Sequence, residues 1–167
     1  MIMAAMPELA KLNCQVVILG TGAPKLEEKL EALENTYPFA KGVAKFDPEL
    51  ARLITAGADY CLMPSRFEPC GLNQLYAMMY GTIPVVAPVG GLVDTVLPQF
   101  GFLMGKIPLP DKPGVAVSEA MLEEGVEAMI VGIKKALQEY GTPKFEQMRL
   151  CLLYTSPSPQ DLAVSRM

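Results

Sequence analysis

A carboxylate and three glycines follow two predicted strands in the segment 65–96. Glu68 and Gly71 come after the first of these strands, and Gly90 and Gly91 come after the second. Glycine lets backbone approach a ligand closely, and the unpaired amides at a helix start favour an anion such as phosphate. In a doubly wound sheet, ligands bind at the carboxyl ends of the strands. The pattern therefore predicts a phosphate-bearing ligand beside an acid.

Strand and helix patterns alternate along the chain. This alternation predicts an α/β fold, with a parallel sheet and helices on both faces. The predicted strands are 14–19, 40–46, 59–63, 83–87 and 101–104. The predicted helices are 1–12, 24–37, one capped by Asp47, 72–80, one from Ser118 to about Tyr140, and 143–150. The helix that begins at Ser118 is expected to bury Met121, Val126, Ile130 and Leu137.

Composition excludes several classes of function. The chain has 167 residues, of which 51% are hydrophobic, and this is the size of one folded domain. Its net charge is −4 and no basic cluster is present, so nucleic acid is not an expected partner. There is no histidine, which excludes catalytic triads and zinc sites that need one.

The cysteines and the apolar runs exclude further classes. The four cysteines lack C-x-x-C spacing, which argues against a metal site and a disulfide framework. No apolar run reaches membrane-spanning length, so no membrane association is expected. Pro7 and Glu8 interrupt the first apolar stretch, and the start is therefore not interpreted as a signal or transit peptide.

The segment 151–167 differs in composition from the rest. It contains two prolines and several hydroxyl residues without an amphipathic period, and we expect a disordered tail. It is interpreted as non-native sequence, such as a translated adaptor joined to a truncated coding sequence; the alternative is a natural flexible tail. The folded domain is accordingly expected to span 1–150.

Two motifs carry a resemblance to a known family. Residues 65–72 read Ser-Arg-Phe-Glu-Pro-Cys-Gly-Leu, and residues 90–96 read Gly-Gly-Leu-Val-Asp-Thr-Val. In both, the chain resembles the starch and glycogen synthases. Gly-Val-Ala-Lys-Phe at 42–46 and Ala-Gly-Ala-Asp at 56–59 are most similar to the granule-bound type. The resemblance covers the expected domain, 1–150.

The resemblance implies a fold and an activity. The fold would be the Rossmann-like, C-terminal, donor-binding domain of a two-domain B-type glycosyltransferase. The activity would be transfer of glucose from ADP-glucose, or alternatively UDP-glucose, to the non-reducing end of an α-1,4-glucan, with retention and without a metal or other cofactor. The glucan would bind through the other domain, and Met1 is interpreted as an internal methionine.

The same resemblance leaves other outcomes open. The compartment would be a plastid in a plant or green alga and the cytoplasm elsewhere. The alternatives to the transferase are a non-catalytic nucleotide- or glucan-binding fragment, and a truncated transcript without a role.

The resemblance also assigns roles around the first motif. Glu68 would stabilise positive charge developing at the anomeric carbon, as fixed negative charge should; the alternative is an acid that favours a helix dipole. The amides of Cys70, Gly71 and Leu72 would face the donor sugar or its phosphates. The Cys70 thiol has two open interpretations, a reactive group at a helix start or a small buried hydrophobe.

Further roles are assigned on either side. Lys45 would meet polar donor atoms and Phe46 would pack against adenine; the alternative is a core phenylalanine beside a surface lysine. Tyr76 stands eight residues after Glu68, where related transferases carry an acid that grips the ribose. Its phenol can hydrogen-bond a hydroxyl, or the ring can simply pack on the helix.

The glycine pairs complete the assignment. Gly90 and Gly91 match the family's Thr-Gly-Gly-Leu, but Val89 replaces the threonine, so backbone amides alone remain to bind phosphate. Gly20-Thr21-Gly22 does not continue as a dinucleotide fingerprint, because Lys25 stands where glycine is needed. A dehydrogenase is therefore not favoured.

Overall fold

The fold was analysed in a computed structural model, which describes residues 1–110 and 115–155. The first half of the described chain contains α1 (Ile2–Leu9), β1 (Val16–Gly20), α2 (Pro24–Glu31), α3 (Leu33–Thr36), β2 (Ala40–Ala44), α4 (Pro48–Gly57) and β3 (Tyr60–Met63). The second half contains α5 (Asn73–Met79), β4 (Ile83–Val86), α6 (Gly91–Thr95), β5 (Phe102–Leu103), α7 (Glu119–Glu139) and α8 (Pro143–Thr155).

The chain divides into two compact units, each with a parallel sheet. The first unit, Met3–Ile54, pairs β1 with β2. The second unit joins Met1–Ile2 to the chain from Thr55 onward, and its strand order is β3-β4-β5. The predicted α/β class is confirmed, although the strands form two sheets rather than one. The assignment of 1–150 as a nucleotide-sugar-binding domain stays a prediction.

Strand β4 is the centre of the second unit. All four of its residues are buried, and it pairs in parallel with β3 on one side and β5 on the other. The register places Met63 beside Val86, and Val86 beside Leu103. The carboxyl ends of the three strands therefore lie at one edge, from which the chain leaves in loops.

The predicted helix starts at Asp47 and Ser118 are confirmed by their hydrogen bonds. The Leu50 amide donates to Asp47 Oδ1 at 2.9 Å, and the Met121 amide donates to Ser118 Oγ at 3.2 Å. Each side chain accepts from one of the free amides of a first helical turn, which is the usual function of an N-cap. The predicted helix 24–37 is instead two helices, α2 and α3, separated at Ala32.

Helix α7 buries a face that only partly matches the one predicted. Of the four large residues expected inside, Ile130 is buried, whereas Met121, Val126 and Leu137 are half-buried. The buried face also includes small residues; its members are Gly125, Met129, Ile130, Gly132, Ile133 and Ala136. A Cβ on Gly132 would lie 2.8 Å from Met104 Cα. At Gly132 the helix approaches the chain after β5 too closely for a larger side chain, and hydrophobicity alone could not indicate that small residues share the buried face.

Helix α8 continues past Leu150, where it was predicted to end. It runs to Thr155, so the helical residues 151–155 contradict a disordered tail that begins at 151. The physical reason is Leu152, which is buried in a cluster with Met78, Ile83, Phe145 and Met148. Positions 156–167, the rest of the predicted tail, lie outside the described residues. No helix in the described ranges has the length and apolar character needed to cross a membrane.

Substitution of Leu152 tests this core contact. Leu152 is 1% exposed, whereas Leu150 on the same helix is 52% exposed. We expect Leu152→Ala to lower the free energy of unfolding by about 2–5 kcal/mol, because it leaves a cavity in a packed cluster. Leu150→Ala, the matched control, should change it by less than about 0.5 kcal/mol. Urea denaturation measures both, and equal losses would contradict the docking of α8 through Leu152.

Candidate functional site

Two turns leave neighbouring strands at the same edge of the second sheet. One follows β3 and contains Glu68; the other follows β4 and contains Gly90 and Gly91. The Gly91 amide donates to the Pro69 carbonyl oxygen at 3.2 Å. The predicted residues of both turns are therefore brought together by direct contact of their backbones.

Glycine is required where the two turns meet. Gly90 has φ of 47°, and a Cβ there would overlap the carbonyl oxygen of Glu68. A Cβ on Gly91 would lie 2.7 Å from both the Cα and the carbonyl oxygen of Cys70. Any larger residue would push the second turn off the first. The pair therefore serves the packing of the turns, and its role toward a phosphate stays a prediction.

Gln74, on helix α5, lies fully buried behind both turns. The two hydrogens of its Nε2 are shared among three acceptors, the carbonyl oxygens of Cys70 at 3.0 Å and Gly71 at 3.1 Å and Thr95 Oγ1 at 3.1 Å. The Thr95 hydroxyl in turn donates to the Gly91 carbonyl oxygen at 2.7 Å. One hydrogen-bond network thus joins the first turn to helix α6.

Sequence reasoning missed both Gln74 and Thr95. Thr95 lies within the second motif, and Gln74 lies in the helix that follows the first. Neither residue type indicates a network by itself. The one available signal was a polar residue among the apolar positions of a short helix, between Leu72 and Met78, where its side chain had to be satisfied internally.

Arg66 was also missed. Its Nε donates to the Pro108 carbonyl oxygen at 3.3 Å, and its Nη2 is buried without a hydrogen-bond partner. The contact ties the start of the first turn to the chain that follows β5. Arg66 therefore contributes to fixing the loop that carries Glu68.

Glu68 is half-buried in the first turn. Helix α5 begins at Asn73 and has no acid in its first turn. The alternative interpretation, an acid that favours the helix dipole, fits poorly because that interaction decays within the first turn. The catalytic role implied by the resemblance stays a prediction.

Cys70 and Leu72 are exposed at the end of the first turn. The interpretation of Cys70 as a small buried hydrophobe is therefore wrong, while its reactivity stays a prediction. Leu72 is the N-cap residue of α5 and offers no side-chain cap. The surface at this point is thus formed by backbone together with the side chains of Cys70 and Leu72.

Lys45 and Phe46 follow β2 and belong to the first compact unit. The Phe46 ring is 84% exposed, so its alternative interpretation as a core residue is wrong. Lys45 Nζ lies 2.7 Å from Asp47 Oδ2. The Leu50 backbone amide and then Lys45 hold the pKa of Asp47 below its usual value, so this carboxylate stays charged beside Lys45.

Tyr76 and Phe67 are among the exposed aromatic side chains of the second unit. Tyr76, on α5, is 51% exposed, which leaves both of its interpretations available. Phe67, next to Glu68, is 79% exposed and was not predicted as a site residue. Within the described ranges, no three His, Cys, Asp or Glu side chains are grouped in a way that could hold a metal ion.

Comparison with known proteins bears on this site. Residues 1–130 match the family described as Glycosyl transferases group 1. The chain is 49% identical over 150 residues to granule-bound starch synthase 1 of Manihot esculenta, covering 88% of this chain and 23% of that protein. It is 61% identical over 95 residues to soluble starch synthase 2-2 of Oryza sativa subsp. japonica, covering 56% of this chain and 14% of that protein.

Solved structures share the fold. The catalytic domain of starch synthase IV from Arabidopsis thaliana, bound to ADP and acarbose, matches with a TM-score of 0.60 and 20% identity, over 98% of this chain and 41% of that chain. Sucrose-phosphate synthase from Thermosynechococcus elongatus matches with a TM-score of 0.63 and 22% identity, over 99% and 40%. The chain thus spans only part of each relative, and it belongs to the Glycosyl transferases group 1 family.

Proposed function

We propose that this chain forms the donor-binding half of a retaining glucosyltransferase. The complete enzyme would transfer glucose from ADP-glucose to the non-reducing end of an α-1,4-glucan in starch synthesis. The observation that carries the proposal is the Glu68 turn packed on Gly90 and Gly91 at one sheet edge, in a chain 49% identical to a granule-bound starch synthase. The ADP and acarbose in the starch synthase IV structure support a nucleotide donor and a glucan-like acceptor.

The proposed roles follow from which groups are available. Glu68 lies in a turn fixed by backbone contacts, and a fixed carboxylate can stabilise an oxocarbenium-like centre without rearrangement during the reaction. The amides of Cys70 to Leu72, at an exposed turn, would hold the donor sugar or its phosphates, together with that of Gly90. The Gly91 amide donates to the Pro69 carbonyl oxygen, so Gly91 would contribute by letting the two turns pack closely.

Two residues of the first unit are proposed to bind the nucleotide. Phe46 presents an exposed ring that could stack on adenine, and Lys45 presents the adjacent cation. Tyr76 would offer its phenol to a sugar hydroxyl. UDP-glucose is the alternative donor. The compartment would be a plastid, as it is for the chloroplastic/amyloplastic relatives, if the source is a plant or green alga.

A second candidate is a binding fragment without catalysis. The observation in its favour is coverage, since the chain spans 23% of the granule-bound relative and 14% of the soluble one. Such a fragment would keep nucleotide or glucan affinity without transfer. Affinity electrophoresis in glycogen, with and without ADP, separates a glucan-binding fragment from a donor-binding half.

The catalytic role of Glu68 can be tested in an otherwise complete enzyme. We expect Glu68→Gln to lower kcat at least about 100-fold and to change KM for ADP-glucose less than about threefold, because the charge is needed mainly in the transition state. Glu146→Gln, an exposed acid on α8, is the matched control and should leave both constants unchanged. Steady-state kinetics with a glycogen primer measures this, and parental kcat in Glu68→Gln would refute the role.

The isolated chain should bind ADP weakly and transfer nothing. Lys45 is the one cation that the resemblance assigns to the phosphates in this chain. Each further charge-assisted contact that the phosphates do not make weakens binding by about 1.5–3 kcal/mol. We therefore expect a Kd of about a millimolar or weaker by calorimetry. Transfer also needs an acceptor held against the donor. Glucan elongation from labelled ADP-glucose by this chain alone would contradict the half-enzyme proposal.

The pairing of Lys45 with Asp47 gives a sharper test of the nucleotide site. Asp47→Asn removes the charge that competes for Lys45 but keeps an oxygen to cap α4. We expect ADP binding to strengthen about two- to fivefold, the size of an exposed ion pair. Glu34→Gln, which removes the partner of Lys41 at an exposed pair, is the control and should have no effect. Unchanged or weaker ADP binding in Asp47→Asn would argue against a role for Lys45.

A further inference from the structure

We propose that Gln74 is a positioning residue that couples the two turns and points the amides of Gly71 and Leu72 outward, toward the donor. The inference deepens the proposed function and rests on it for the identity of the ligand. Gln74 itself is fully buried and would touch neither donor nor acceptor. It would act through the backbone that it holds.

The contacts of Gln74 belong to both turns. The carbonyls of Cys70 and Gly71 lie in the first turn, whereas Thr95 closes α6, which begins with the second turn. Thr95 extends the network to the Gly91 carbonyl at 2.7 Å. A displacement of one turn must therefore break a buried hydrogen bond to the other, and such bonds are strong in a low-dielectric interior.

Peptide geometry converts these carbonyl contacts into amide directions. In a planar trans peptide, the C=O of one residue points opposite to the N–H of the next, and no cis peptide is present in the described chain. Gln74 draws the Cys70 and Gly71 carbonyls toward the interior. The N–H groups of Gly71 and Leu72 consequently point away from the buried amide, toward the exposed side of the turn.

The glutamine side chain at position 74 is unfavourable for stability in one respect, which argues that it is present for function. Gln74 Oε1 is buried without a hydrogen-bond partner, and an unsatisfied buried acceptor is unfavourable. A Cβ on Gly71, which has φ of 75°, would lie 2.5 Å from that oxygen. Methionine would fill the same volume without an orphan acceptor. What methionine lacks is the donor that fixes the two carbonyls.

The coupling can be tested in the full chain without any ligand. Amide ¹H–¹⁵N spectra of Gln74→Met should show shifted resonances at Gly71 and Leu72 and also across the network, at Leu92. Thr95→Val, which leaves Gln74 in place, should shift Gly71 and Leu72 from the other side. Gln147→Met, an exposed position on α8, is the matched control and should move none of these.

A carboxyl at position 74 supplies the rescue. In Gln74→Glu the ionised side chain has no hydrogen to donate, and burial should raise its pKa above the usual value for glutamate. Below that pKa the protonated form regains one donor, so the Gly71 and Leu72 resonances should return toward the parental positions as pH falls from 7 to about 5. A merely space-filling role for Gln74 predicts no such return.

Ligand binding separates this inference from the proposed function. With ADP as the probe and the substitution placed in an otherwise complete enzyme, Gln74→Met should weaken binding about tenfold, the effect of misdirecting donors worth one good hydrogen bond. If the complete parent enzyme binds no ADP, the donor proposal fails while the spectra of the chain still decide the coupling. The coupling is overturned if Thr95→Val leaves the Gly71 and Leu72 resonances unshifted. This test does not depend on whether the variants at position 74 fold.

Discussion

The contact between two backbone segments underlies the rest of the site. The Gly91 amide donates a hydrogen bond to the Pro69 carbonyl oxygen, and Gly90 lies against the carbonyl oxygen of Glu68 with no room for a Cβ. This contact requires β3 and β4 to be parallel neighbours, because only then do both turns leave the same edge. It also requires a buried cluster beneath, formed by Met63, Val86, Leu92 and Val96. Sheet order, glycine positions and core packing thus converge on one small region.

Local contacts within each unit support the other residues of the proposal. Lys45 and Phe46 leave β2 as exposed side chains that need only a defined local backbone, which the Asp47 cap supplies. Helix α8 packs Leu152 against Met78 of α5 and so stabilises the helix that carries Gln74. In the second unit, the turn that carries the proposed amides is therefore supported by apolar contacts between α5 and α8 and by the hydrogen bonds of Gln74.

The features that could be predicted from the sequence are those whose interacting residues are close together along the chain. The caps at Asp47 and Ser118, and the turns at the glycines, are local and were predicted, because the residues that cause them are within a few positions. The small residues on the buried face of α7 were not predicted, because that face depends on how closely Met104 approaches Gly132. The end of α8 was misplaced because the Pro- and Ser-containing composition outweighed the spacing of Phe145, Met148 and Leu152, which continued the helix. Gln74 was missed because the partner that makes it a link between the turns, Thr95, is 21 residues away across a tertiary contact.

A surface made of main-chain groups is encoded indirectly. Exchanging the exposed side chains of Cys70 or Leu72 leaves their amides in place. Such substitutions should therefore be tolerated, because they change little in the backbone. We expect the intolerant positions to be those that hold the turns together, namely Gly90 and Gly91, where a Cβ would overlap the first turn, and the buried Gln74. The residues most sensitive to mutation around this turn are thus expected to be those that hold its backbone, rather than those whose side chains lie at the surface. A mutational scan restricted to surface side chains would miss them.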